Sequence, residues 1–283
     1  QLLRRLTTPY CIDPKNPAAP PEVVNTPTIP CPTDGYVREF SPVNDIHIGI
    51  VTSSLGDFGG SACELAATDI DNKKGPAKDD KGWLLGALSR TQSKLRSPFL
   101  AWTDADASNF DNQIQLKESE FKDFVTSSGE TGCGFEMSLE SWYRFLVDPE
   151  PPTSIEMVSD GTSPNSVRSG LDTQLLAQRK EFLRPDSLLA IVMLSDENDC
   201  SVRDSGRSWI LTGGNYSNVK LRTGSSACAL NPNDPCCYSC NDALPPTGCP
   251  ADPNCSQDST IVASTDYNLN CFHQKERFGY DFL

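Results

Sequence analysis

The sequence predicts an α/β fold built on crossover connections, and three observations predict it. Residues 45–54, "DIHIGIVTSS", and residues 188–194, "LLAIVML", are apolar at nearly every position after Asp45. Runs of that kind suit strands buried on both faces, as in a parallel sheet. Between them lie segments whose apolar residues recur at helical spacing. Strand, helices, strand is the order of a sheet with crossovers.

The elements follow in order. Residues 1–8, "QLLRRLTT", read as the tail of a helix whose start is missing, and the chain as a piece of a longer precursor. Residues 9–36 are proline-rich and read as an extended loop pinned by a Cys11–Cys31 disulfide. Residues 45–54 are the first strand, bounded by Pro42 and Gly56. Residues 55–95 read as a polar insertion, and "SPFLAWTD" (97–104) as a second, shorter strand. Phe121, Phe124 and Val125 place a helix in residues 117–129, stopped by Gly129. Phe135, Leu139, Trp142 and Leu146 form a stripe on a helix over residues 135–148, with Phe145 beside it and Pro149 ending it. Leu171, Leu175 and Phe182 line a third helix over residues 169–185. Residues 188–194 are then a buried strand. After Cys200 the alternation stops: residues 201–271 carry seven cysteines among Pro/Gly/Asn-rich loops. The expected organisation is a lead-in over 1–40, an α/β core over 41–205, and a cysteine-rich, irregular excursion over 206–283.

Composition narrows the function. With 283 residues and 37% hydrophobic content the chain can bury a substantial core, and its 22 prolines and 19 glycines make it loop-rich. The net charge of −14 leaves no basic face for phosphates, so nucleic-acid binding is not expected. The longest apolar run, 188–194, is too short to span a bilayer. Twelve cysteines accompany only two histidines, His47 and His273. Disulfides in an oxidising compartment account for them better than metal does. The candidates are Cys11, Cys31, Cys63, Cys133, Cys200, Cys228, Cys236, Cys237, Cys240, Cys249, Cys255 and Cys271.

The chemistry-bearing motifs are few. Asp196, Glu197 and Asp199 follow the 188–194 run directly, where α/β sheets bind ligands beyond the carboxyl ends of strands. Clustered carboxylates repel, and Mg²⁺ or Ca²⁺ relieves the repulsion. The alternative is a solvated acidic turn capping a following helix, with Asp196 or Asp199 accepting backbone N–H bonds. "TGCGFE" (131–136) is a tight helix entry without the lysine of a phosphate loop. In "GDFGGS" (56–61) Phe58 stands where a nucleophile would be needed, and the two histidines give no Ser–His–Asp triad. Cys237-x-x-Cys240 is a lone zinc half-site, and "TDADASNFD" (103–111) a weak calcium loop without the required glycine. Asn215 and Asn254 fit glycosylation sequons.

Three segments in order, "DIHIGIVTSSLG", "TGCGFEMSLESWYRFL" and "FLRPDSLLAIVMLSDENDCS", resemble von Willebrand factor A-like domains of secreted or surface proteins of myxobacteria and related bacteria. The resemblance covers roughly residues 40–205. It implies a doubly wound, mainly parallel sheet with helices on both faces, a Rossmann-like arrangement; the long disulfide-stapled irregular insertions expected beside it have no counterpart in ordinary members of the wider fold. It implies adhesion or protein binding rather than catalysis, at a secreted, periplasmic or outer-surface location, through a metal-ion-dependent adhesion site. Asp196 matches that site's last acid, and Thr131 or Glu136 its second loop. The D-x-S-x-S element of such sites is not in this chain, and "RFGYDFL" at the end reads as a truncated continuation. The resemblance also suggests a Cys133–Cys200 disulfide on one sheet edge. The expected partners are proteins, or further copies in a surface or fibrous assembly with a degenerate metal site. A secreted hydrolase using these acids is the remaining, weaker alternative.

Overall fold

The structure is a computed structural model. It describes residues 2–56, 58, 79–88, 91, 94–129, 132–133, 135–159, 164–196, 199–206, 225–231, 233–238 and 244–253. The chain divides into two compact units, one of Gln1–Ile50 with Leu84–Gly129 and one of Val51–Trp83 with Glu130–Leu283.

In the first unit, helix α1 (Leu2–Thr7) leads into strand β1 (Cys11–Ile12), which pairs antiparallel with β2 (Val37–Arg38). The Cys11–Cys31 disulfide closes the proline-rich loop as expected. A cross-link of that loop length stabilises by about 3 kcal/mol in the chain-entropy account. Strand β3 (Ile46–Ile48) pairs antiparallel with β4 (Leu100–Trp102), setting Ile46 opposite Trp102. The His47 ring, half-buried, lies 4.5 Å from that of Phe99. A short 3₁₀ turn, Leu85–Ala87, packs its Gly86 against the backbone of Ser97 and Pro98. A Cβ at Gly86 would fall 1.9 Å from the Ser97 carbonyl oxygen. Gly86→Ala is therefore expected to cost about 1–3 kcal/mol through overpacking, read as a lower denaturant midpoint; an unchanged midpoint would show that this approach is not tight.

Helices α2 (Asp104–Ser108) and α3 (Phe110–Thr126) complete the unit. The "TDADASNFD" stretch folds as a capped helix start, not an ion loop: Thr103 and Asp106 form a reciprocal capping box. Helix α3 starts earlier than residues 117–129 suggested and buries Phe110, Ile114 and Phe124. The Arg4 guanidinium grips Glu118 with two hydrogen bonds, 3.1 and 2.8 Å, and holds that carboxyl below the usual range.

In the second unit, helix α4 (Ser138–Leu146) precedes an antiparallel hairpin of β5 (Ser154–Ser159) and β6 (Pro164–Ser169). Helix α5 (Thr173–Phe182) follows, capped by Asp172, whose carboxylate accepts from the Leu175 N–H at 2.9 Å. The other Asp172 oxygen accepts from Trp83 Nε1 at 2.6 Å. A short helix α6 (Ala227–Leu230) lies beside a Cys236–Cys249 disulfide. The core is Leu55, Phe58, Cys133, Phe135, Met137, Cys200 and Val202.

The doubly wound parallel sheet is not what these residues form. The named strands make three two-stranded sheets, each antiparallel. The first predicted strand narrows to three paired residues, and residues 188–194 form none. An apolar run marks a doubly buried strand only where neighbours flank it. Here Leu188 and Leu194 are 94% and 93% exposed. The hairpin of β5 and β6 was not anticipated: "PNSVRS" (164–169) has no apolar alternation to mark a strand.

Candidate functional site

Helix α4 organises the second unit's polar chemistry. Nine residues make too short a helix to stand alone in water, and groups from elsewhere in the chain hold both its ends. At the N-terminus the Asp199 carboxylate accepts from the Leu139 N–H at 3.0 Å, and Ser201 Oγ accepts from the Glu140 N–H at 2.8 Å. Ser201 Oγ in turn donates to Asp199 at 2.7 Å, and the Cys200 N–H donates to the Glu136 carbonyl at 2.7 Å. At the C-terminus the Arg179 guanidinium donates to the carbonyls of Phe145, Arg144 and Asp148 at 2.5, 2.8 and 2.7 Å. An anion at the start and a cation at the end match the helix dipole.

The acids after the apolar run thus divide. Asp199 accepts a backbone N–H at a helix start, but of the preceding α4 and not of a following helix as the capping alternative had it. Glu136 reaches the same helix start, through its backbone carbonyl. Asp196 is exposed at the end of the run. Thr131 and Glu197 lie outside the described residues. Among the described residues no three acidic, histidine or cysteine side chains converge to hold a metal ion, and Asp199 is committed to α4. Asp199→Ala is expected to cost about 1 kcal/mol, as loss of a cap does. Amide exchange at Leu139 and Glu140 should quicken by the same amount with chelator or with Mg²⁺ present. A loss appearing only with metal present would instead favour ligation.

A second cluster was not anticipated. Arg144, with its side chain 4% exposed, lies 3.6 Å from Glu140 and 3.8 Å from Asp204. Arg168 pairs with Asp148 at 2.7 Å and with Asp204 at 3.4 Å. Three carboxylates thus share two guanidiniums. Burial is the main cause that pushes the Glu140 carboxyl up to about 7, against the pull of Arg144; Asp204 and Asp148 push it further. Asp79 is raised as well, by burial first, with Arg144 opposing. Gly82 packs against Arg144, and its φ of +71° is what favours glycine there; a Cβ would meet Arg144 Cδ at 3.4 Å, an ordinary contact. The spacing of Glu140 and Arg144, four apart, is visible in the sequence. Their burial is not, because it depends on Asp204 and Arg168 arriving from far along the chain.

The third feature is residues 188–194. None of them makes a backbone hydrogen bond among the described residues. Their exposure alternates: Leu189, Ile191 and Met193 are 46%, 47% and 48% exposed, whereas Leu188, Val192 and Leu194 are 94%, 76% and 93% exposed. Along the segment one row of side chains is half covered and the other is in solvent.

Cys133 and Cys200 are each disulfide-bonded and buried in the same apolar cluster. Cys237, next to the Cys236–Cys249 bridge, donates its N–H to the Asp234 carbonyl at 2.8 Å. Cys228 lies in α6. Cys63, Cys240, Cys255 and Cys271, like Asn215 and Asn254, lie outside the described residues. No helix among the described residues is long and apolar enough to cross a membrane. Comparison with protein-family models, with curated proteins and with solved structures finds no match to this chain.

Proposed function

We propose that this chain is a non-catalytic protein-binding module of an extracytoplasmic protein, and that residues 188–194 are its contact element. The exposure of that run carries the reading. A seven-residue apolar stretch that is open to water and makes no backbone hydrogen bond among the described residues is costly for an isolated soluble protein, which is why natural edges are shortened, charged or covered. A partner that covers it removes the cost. The disulfides Cys11–Cys31 and Cys236–Cys249 suit an oxidising compartment. The resemblance to adhesive domains supports binding over catalysis. The proposal does not rest on the sheet that resemblance implied, nor on a metal ion.

The test is whether the native protein captures a strand through this run. Leu188→Ser, Val192→Ser and Leu194→Ser together change only the open row, so folding should persist. The triple variant should keep its unfolding midpoint and lose native-state binding of an apolar-surface dye, together with binding of β-forming peptides. Unchanged dye and peptide binding would sink the reading.

A further inference from the structure

Resting on that reading, we infer that residues 188–194 receive, by strand addition, an extended apolar segment of another protein that carries Lys or Arg at both of its ends. Strand addition uses backbone hydrogen bonds for affinity and alternate side chains for specificity. The backbone donors and acceptors of 188–194 are unused among the described residues. The open row of Leu188, Val192 and Leu194 offers the alternate contacts.

The charges beside the run decide the partner. The nearest charged residue before it is Asp186 and the nearest after it is Asp196, both exposed. A second copy of this chain fits poorly. The antiparallel register that overlaps two runs completely is centred on Ile191 and sets Leu188 opposite Leu194. It also sets Asp186 opposite Asp196 at each end of the pair. A parallel, in-register pair stacks each acid on its own copy. Like charges directly opposite across strands are destabilising, and a net charge of −14 adds repulsion between copies. Acids at both ends of an apolar edge are thus a device against self-pairing, and they favour a strand with cations at both ends in either direction. The wider acidity of the chain would speed the encounter with such a partner.

The full chain is titrated, by fluorescence anisotropy, with short Val/Thr-alternating peptides bearing lysines at both ends or glutamates at both ends. A third peptide has lysine ends and N-methylated alternate amides. Only the lysine-ended, unmethylated peptide should bind well, with affinity falling as salt rises, and the glutamate-ended peptide should bind at least about tenfold more weakly. The Asp186→Lys, Asp196→Lys double variant should reverse that preference. Equal binding of both unmethylated peptides would overturn the charge inference while leaving the binding module standing. Binding by none would overturn both, as would sedimentation showing the run occupied by a second copy.

Discussion

Arg144→Ala is expected to destabilise the second unit by about 3–5 kcal/mol. The side chains of Glu140, Asp148 and Asp204 are 15%, 5% and 9% exposed. Removing the guanidinium leaves buried carboxylates with Arg168 as their remaining cation in the cluster, and an uncompensated buried charge is the costly outcome of breaking such a pair. The distances of 3.6 and 3.8 Å are long for hydrogen bonds, so Arg144 acts chiefly as a charge. Its contact with the Phe58 ring, 5.6 Å from the centroid, adds a smaller share. Two comparisons separate charge from packing. Arg144→Lys should lose much less than Arg144→Ala, and Arg144→Ala should cost less in a Glu140→Gln background, because one buried acid is then neutral. Denaturant unfolding with amide exchange over residues 138–146 reads all three. A loss below about 1 kcal/mol, the range of exposed pairs, would show that the cluster is solvated.

The same residues show what was legible in advance. Helices α3, α4 and α5 were visible from apolar spacing and from their stops, because local periodicity carries that signal. The buried face of α4 was not. The expected stripe included Leu139, which is 45% exposed, whereas Ser141 and Arg144 are 1% and 3% exposed. A hydrophobic pattern assumes that apolar residues go inward. Here an arginine goes inward because acids from distant segments meet it, and sequence spacing records no such meeting. The run 188–194 failed in the opposite direction: its composition says buried, and what would bury it is not among the described residues. Asp199 was legible as a cap or a ligand, and only its position against α4 separates the two. The Cys11–Cys31 bridge was legible because two cysteines enclose one proline-rich loop. Cys236–Cys249 was one choice among many and was not.

Glu140 should make the second unit less stable as pH rises from about 4.5 to about 7. The carboxyl titrates at about 7 in the fold, against an ordinary value of 4.5. Between those values the folded chain holds a proton that the unfolded chain has released, so folding is favoured on the acid side. The full contribution is present below about pH 4.5 and is gone above about pH 7. At 1.36 kcal/mol per unit it amounts to about 3 kcal/mol. The groups facing Glu140 are Arg144 on its own helix, Asp204 from far along the chain and Asp148 beyond the helix end. Asp79, raised for the same reason, works in the same direction. Glu118 in the first unit works oppositely, since Arg4 holds it low and its contribution is lost in acid. Exchange of the α4 amides isolates the second unit from that counter-trend. Glu140→Gln, uncharged at every pH, should flatten the decline between pH 4.5 and 7 and raise stability at pH 8 by up to about 3 kcal/mol. Parallel pH profiles for the wild-type chain and this variant would refute the assignment. A decline that persists while Glu140→Gln stabilises at pH 8 would shift the remaining proton to Asp79, and Asp79→Asn should then remove it.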